Sequence, residues 1–129
     1  MPATFDKILG KPLSHKHQTT DITGLTNLIN SSNDTIATIN STQVLTSISA
    51  NVELVDATSA NISVTLPAIS TLSAVTFRIK KIDSSNHTVT IIPNGTDKIE
   101  NISQNLIIEF ANTSAQLIAS TSTSSWFII

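Results

Sequence analysis

The sequence predicts a mainly β protein, with a β-sandwich or jelly-roll-like head preceded by a short trimeric helical stem and an extended N-terminal anchor. Three observations carry that expectation. Ser, Thr and Asn make up 48 of the 129 residues, and their side chains compete for backbone hydrogen bonds in helix interiors. Ile is abundant, with 19 copies, and Ile, Val and Thr fit a pleated surface. From Val44 onward, short apolar-polar alternations are separated by turn residues, the pattern of a many-stranded sandwich. Three segments follow: a leader at 1–19, a stem at 20–43 and a head at 44–129.

The leader contains Pro2, Gly10 and Pro12, and neither a helical nor a strand period runs through it. It is expected to be extended. Phe5, Ile8, Leu9 and Leu13 are too few for a core and too apolar for a solvated tail. They suit a peptide seated in a groove of a larger partner; the alternative is a disordered terminus.

In the stem, Ile22, Leu25, Ile29, Ser32, Ile36, Ile39 and Gln43 follow alternating spacings of three and four, the a/d seam of a coiled coil. Asp21 or Thr23 supplies the helix cap. Gly24, Asn30, Thr35 and Thr38 weaken intrinsic helicity, so such a helix needs partners. Ile at a with Leu or Ile at d favours three or more strands, and a homotrimer is expected. The alternative is one short helix over Thr23–Ile29 followed by irregular chain packed on the head.

In the head, strands are expected at 51–56, 62–66, 75–82, 87–93, 98–102, 106–110, 116–119 and 126–129. The runs 75–82 and 87–93, on either side of Asp83-Ser84-Ser85-Asn86, read as a hairpin. Asn94-Gly95 is a strong turn signal. The chain closes on Trp126-Phe127-Ile128-Ile129, a strand expected to be buried because an exposed apolar edge invites aggregation.

Composition narrows the function. The net charge is −2 and only 12% of residues are charged, so no basic field exists to neutralise phosphates and nucleic-acid binding is not expected. Met-Pro-Ala-Thr-Phe-Asp-Lys lacks the apolar core of a signal peptide. No apolar run approaches the roughly 18 residues of a membrane span. With no cysteine, neither disulfides nor thiolate metal sites arise.

No catalytic constellation emerges. His87 follows a polar turn and reads as solvated, the acidic residues stand singly, and three glycines in all make no phosphate-cradling loop. An enzyme is not expected. His15 and His17 are the one candidate ligand pair: in extended chain they face the same side, and three chains around an axis would offer six imidazoles, enough for an octahedral metal such as iron. The alternative is two exposed histidines, with no cofactor. A carbohydrate-binding module would need a surface aromatic platform, yet Phe77, Phe110 and Phe127 read mostly as inward-facing and Trp126 is undecided.

Ser14-His15-Lys16-His17 followed by Thr20-Asp21-Ile22-Thr23-Gly24-Leu25 resembles a phrase of tailed-bacteriophage fibre proteins. Ser63 to Ala68, Phe77 to Ser85 and Trp126 to Ile129 are similar to phrases of a β-rich module in such fibres. Together they cover most of residues 14–129. The resemblance implies a homotrimeric structural protein of the virion, attached through its N-terminus to a major capsid or tail protein and touching host or environmental glycans. So short a chain suits a capsid-attached head fibre better, with a tail fibre or adaptor second. In some trimeric fibres His-X-His pairs bind axial iron, which carries over only to His15 and His17. Here the pair precedes the stem rather than lying in a long needle, a departure from the family's pattern.

Overall fold

From Asp34 onward the backbone alternates between two sheets as it advances. In the computed structural model, residues 34–73 and 75–129 are described. The strands are β1 (Ile36–Ile39), β2 (Gln43–Val44), β3 (Val52–Val55), β4 (Ile62–Thr65), β5 (Thr76–Lys81), β6 (Val89–Ile92), β7 (Lys98–Ile99), β8 (Leu106–Ile108), β9 (Ser114–Ser120) and β10 (Ser125–Ile128), with one 3-10 turn at Ile69–Thr71. The described part is mainly β.

The first sheet has the order β1-β3-β5-β9-β10-β7 and the second β2-β4-β6-β8. Its odd-even alternation has a simple cause. β1, β3 and β5 pair in parallel, as do β2, β4 and β6. The chain therefore winds as a coil, each turn placing one strand in each sheet. Register pairs Ile36 with Val52 and Val52 with Arg78 in one sheet, and Val64 with Gln43 and with Ile91 in the other. Beyond β6 the direction reverses: β8 runs antiparallel to β6, β9 to β5 and β10 to β9.

The alternation of side chains decides which face is core. β4 and β6 alternate buried and half-buried residues, as do β5 and most of β9, the period-two signature of strands with one covered face. Val55, Phe77, Ile79, Leu117 and Trp126 from the first sheet and Ile62, Val64, Val89, Ile91 and Ile108 from the second form one apolar cluster. Trp126 is 0% exposed. Its ring meets Phe77 edge to face, with centroids 5.8 Å apart and planes at 81°, a geometry worth about 0.5–1.5 kcal/mol beyond area burial.

Several expectations are corrected. Ile36 and Ile39, together with Gln43, close the expected heptad seam; they lie instead in β1 and β2. Ile36, Thr38 and Ile39 are β-branched, and four residues of β3 stand in register to pair with them, which outweighs a poor helix. The strand region thus begins near Asp34 rather than at 44. Ile22, Leu25 and Ile29 lie outside the described residues, as do Phe5, Ile8, Leu9, Leu13, His15 and His17.

The expected hairpin between 75–82 and 87–93 is absent as a pair. β5 and β6 belong to different sheets, and β5 instead lies between β3 and β9. The expected strand at 98–102 stops at Ile99, because Glu100 and Asn101 take positive φ values of 55° and 62°, which turns the chain.

The C-terminal strand is buried only at its start. Ser125 and Trp126 pair with β7 as well as β9, whereas the register with β7 ends there. Phe127 is therefore half-buried, and Ile128 and Ile129 are exposed. The Glu100 carboxylate accepts the Ile128 N–H at 2.7 Å and ties down that free edge.

Candidate functional site

The end of the second sheet where β6 begins and β8 finishes gathers two loops. Val89 opposes Ile108 in antiparallel register, so residues 84–88 before β6 and 109–111 after β8 emerge side by side. The first sheet reinforces this: Lys81 N–H donates to Thr113 O at 3.0 Å and Asn112 N–H to Lys81 O at 2.8 Å. Between the loops lies a groove of about 340 Å³ lined by Ser84, Ser85, Asn86, Thr88, Glu109, Phe110 and Ala111. That volume is at the low end of the roughly 300–1,000 Å³ range of small-molecule sites.

Phe110 is 73% exposed. Period-two counting from Leu106 and Ile108 turns it inward, but the strand ends at Ile108 and a turn begins. Thr113 N–H donates to Phe110 O at 3.3 Å, and Asn112 adopts a φ of 62°, which Asn tolerates better than most residues. The ring therefore leaves the core direction and stands at the groove. This corrects the expectation of an inward Phe110, while Phe77 and Trp126 are core residues. The available signal was Asn112-Thr113-Ser114, a turn cluster that ends strand periodicity just after Phe110.

The opposite wall is held by a buried polar knot. Lys81 is 0% exposed because its position on β5 faces the core, opposite Val55. Its Nζ donates to Asp83 Oδ1 at 2.7 Å, to Asp83 O at 3.0 Å and to Ser85 O at 3.1 Å. Three ammonium protons thus meet three acceptors, which is what a buried charge requires.

Asp83 is equally well engaged. Its Oδ1 also accepts the Ser85 N–H at 3.0 Å and its Oδ2 the Ala57 N–H at 2.7 Å, and the Ser85 hydroxyl lies against Oδ1. Burial by itself would raise the carboxyl, but the bonds from Lys81, Ser85 and the backbone N–H groups of Ala57 and Ser85 outweigh it and hold it well below the usual carboxylate range.

His87 closes the knot rather than standing in solvent. It is half-buried, and Nδ1 lies 2.9 Å from Ala57 O. A carbonyl only accepts, so Nδ1 carries the proton. Thr88 N–H donates to Asn61 Oδ1 at 2.9 Å. The loop backbone is therefore fixed at Asp83, Ser85, His87 and Thr88, while the side chains of Ser84 and Asn86 are exposed. The loop therefore carries outward polar groups on a backbone held by hydrogen bonds.

Elsewhere, Glu53 on β3 is 2% exposed, and its Oε2 has no hydrogen-bond partner among the described residues. Desolvation raises its carboxyl above the ordinary value. No group of three or more His, Cys, Asp or Glu side chains with metal-binding spacing occurs among the described residues. No described helix is long and apolar enough to cross a membrane. No family model matches the chain, and no curated protein with which it was compared matches either.

Proposed function

We propose that the chain is a non-enzymatic structural protein of a phage virion. In this reading it is a homotrimeric fibre, attached through its N-terminus to a capsid or tail protein and presenting its β-rich body for adhesion to surface glycans. The observation that carries the adhesion part is the Phe110 groove, where an exposed aromatic ring faces hydroxyl and amide groups on a rigid loop. Aromatic faces with convergent polar groups are a recurring way to bind small polar ligands.

Assembly is supported by a second surface. Among the described residues β1 and β2 are both edge strands, in the first described turn of the coil, and Ile36, Val44 and Ile48 are exposed there, Ile48 at 93%. Unpaired edges beside exposed apolar side chains favour contact with another chain. The resemblance of residues 14–25 to a phrase of phage fibres supports placement on a virion.

Light scattering on the full chain tests the assembly: a trimer is expected, and a monomer would sink the fibre reading. Removal of residues 1–19 should leave a soluble trimer that no longer joins particles, whereas normal incorporation would refute the docking role of the leader. Metal analysis of the purified protein tests iron at His15 and His17 across a trimer axis. The alternative, a monomeric carbohydrate-binding module, is favoured by the same Phe110 groove and would bind sugar without assembling.

A further inference from the structure

We infer that the Phe110 groove takes a neutral hexopyranose, an uncharged sugar ring with at least one pair of adjacent free hydroxyls, rather than a sialic or uronic acid. The inference rests on the adhesion reading above and names the ligand class of that same groove.

The chemistry follows from the lining. Phe110 offers an apolar face beside Glu109, Asn86, Ser84 and Thr88. A pyranose presents a patch of C–H bonds on one face and hydroxyls around its rim, so the ring stacks on Phe110 while the rim reaches the polar groups. Glu109 is exposed and, among the described residues, is the one charged side chain in the lining. An ionised carboxylate accepts hydrogen bonds through both oxygens, which matches two adjacent hydroxyls. Hydrogen bonds to a charged group are about twice as strong as neutral ones.

The same carboxylate repels an anionic sugar, and among the described residues no lysine or arginine lines the groove to offset it. Asn86 supplies donors and an acceptor, and so accommodates either hydroxyl or acetamido groups. A quaternary ammonium ligand is the competing class, since Glu109 and a π face both attract cations. Against it stand the hydroxyl-rich rim and, among the described residues, a single aromatic ring in the lining, where such cations are recognised by cages of several.

Loop preorganisation is part of the case. Asp83 and Ser85 fix the backbone from which Ser84 and Asn86 project, so little conformational entropy is lost when the sugar docks.

The test is an amide-shift NMR titration of the full chain with methyl glycosides of glucose, galactose, mannose and N-acetylglucosamine, beside sialic acid, glucuronate and tetramethylammonium. At least one neutral glycoside should shift amides in 84–88 and 109–111. Phe110→Ala should then weaken its binding about 3- to 10-fold, in line with a single aromatic contact. Glu109→Gln should weaken it as well and should narrow the gap between neutral and acidic sugars.

Both side chains are exposed, so the folded state of each variant is checked by Trp126 fluorescence. The inference is overturned if an acidic sugar binds as tightly as any neutral one. It is also overturned if tetramethylammonium alone shifts the groove, if no glycoside does, or if Phe110→Ala leaves sugar affinity unchanged. A trimer that fails these tests retains the assembly role and loses only this ligand assignment; a monomer that passes them is the binding module instead.

Discussion

Removing the Asp83 side chain isolates the energetics of the buried knot. In Asp83→Ala, Lys81 keeps its place at 0% exposure but loses the carboxylate 2.7 Å away. The Ala57 N–H and the Ser85 N–H lose their acceptor as well. Breaking a buried pair by removing one partner costs roughly 3–5 kcal/mol. Two carbonyls, Asp83 O and Ser85 O, still accept from Nζ, which argues for the lower end, about 3 kcal/mol.

For a body of this size that corresponds to a fall in Tm of about 12–24 °C. Urea unfolding followed by fluorescence of Trp126, the single tryptophan of the chain, measures it, with the midpoint lowered and the slope unchanged. Lys81→Met combined with Asp83→Ala should recover much of the loss, because no uncompensated charge remains buried. A single-variant cost under about 1 kcal/mol, the range of an exposed pair, would refute the reasoning. So would a double variant less stable than Asp83→Ala alone.

Acid titration reports the same carboxyl. The folded-state value of Asp83 is depressed from 3.8, so its contribution is present above that pH and is lost as pH falls below it; Asp83→Asn should flatten the acid limb of a stability-pH curve. Glu53 works in the opposite sense. Its folded-state value is raised from 4.5, so its contribution is full below that pH and is lost as pH rises. Glu53→Met should accordingly raise stability at neutral pH by about 1–3 kcal/mol, the desolvation cost of one buried polar atom without a partner among the described residues, and a loss on denaturant titration would contradict it. Trp126→Ala should cost about 3–5 kcal/mol in thermal melts followed by far-ultraviolet dichroism, since the ring is fully buried against Phe77. Ile48→Ser should change body stability by less than about 0.5 kcal/mol yet reduce self-association in sedimentation velocity, and an unchanged association profile would clear this residue of any assembly role.

Much of the strand content is legible in the residue pattern. Ile62, Val64 and Leu66 alternate with Ser63 and Thr65, and the fold buries the three apolar residues. Period two survives because it reports which face is covered, a property of each strand by itself. Partner choice is a different quantity. The alternations in β5 and β6 are compatible with a hairpin across Asp83–Asn86, but the chain crosses to the other sheet and each strand pairs in parallel with the previous turn of the coil. No local pattern distinguishes those outcomes, since both bury the same faces.

Residues 36–43 show tertiary context overriding a helical period. Spacings of three and four run through Ile36, Ile39 and Gln43, yet β3 offers a matching edge to Ile36–Ile39, and β-branched residues accept it readily. Of the candidate site, the turn at 83–86 is visible in the sequence and its use is not. Nothing in the local pattern singles out Lys81; the register with Val55 points it inward, where it organises Asp83 and Ser85.

Residue types and their spacing thus specify the β class of this protein, the faces of its central strands and the position of its turns, because composition and period two act within a few residues. The parallel coil, the buried Lys81–Asp83 pair and the outward Phe110 arise only from the tertiary fold. Each depends on groups far apart in sequence: Val55 opposite Lys81, Ala57 bonded to Asp83, and residues 84–88 beside 109–111. Such juxtapositions are set by which strands meet, and that choice is made by the whole core at once.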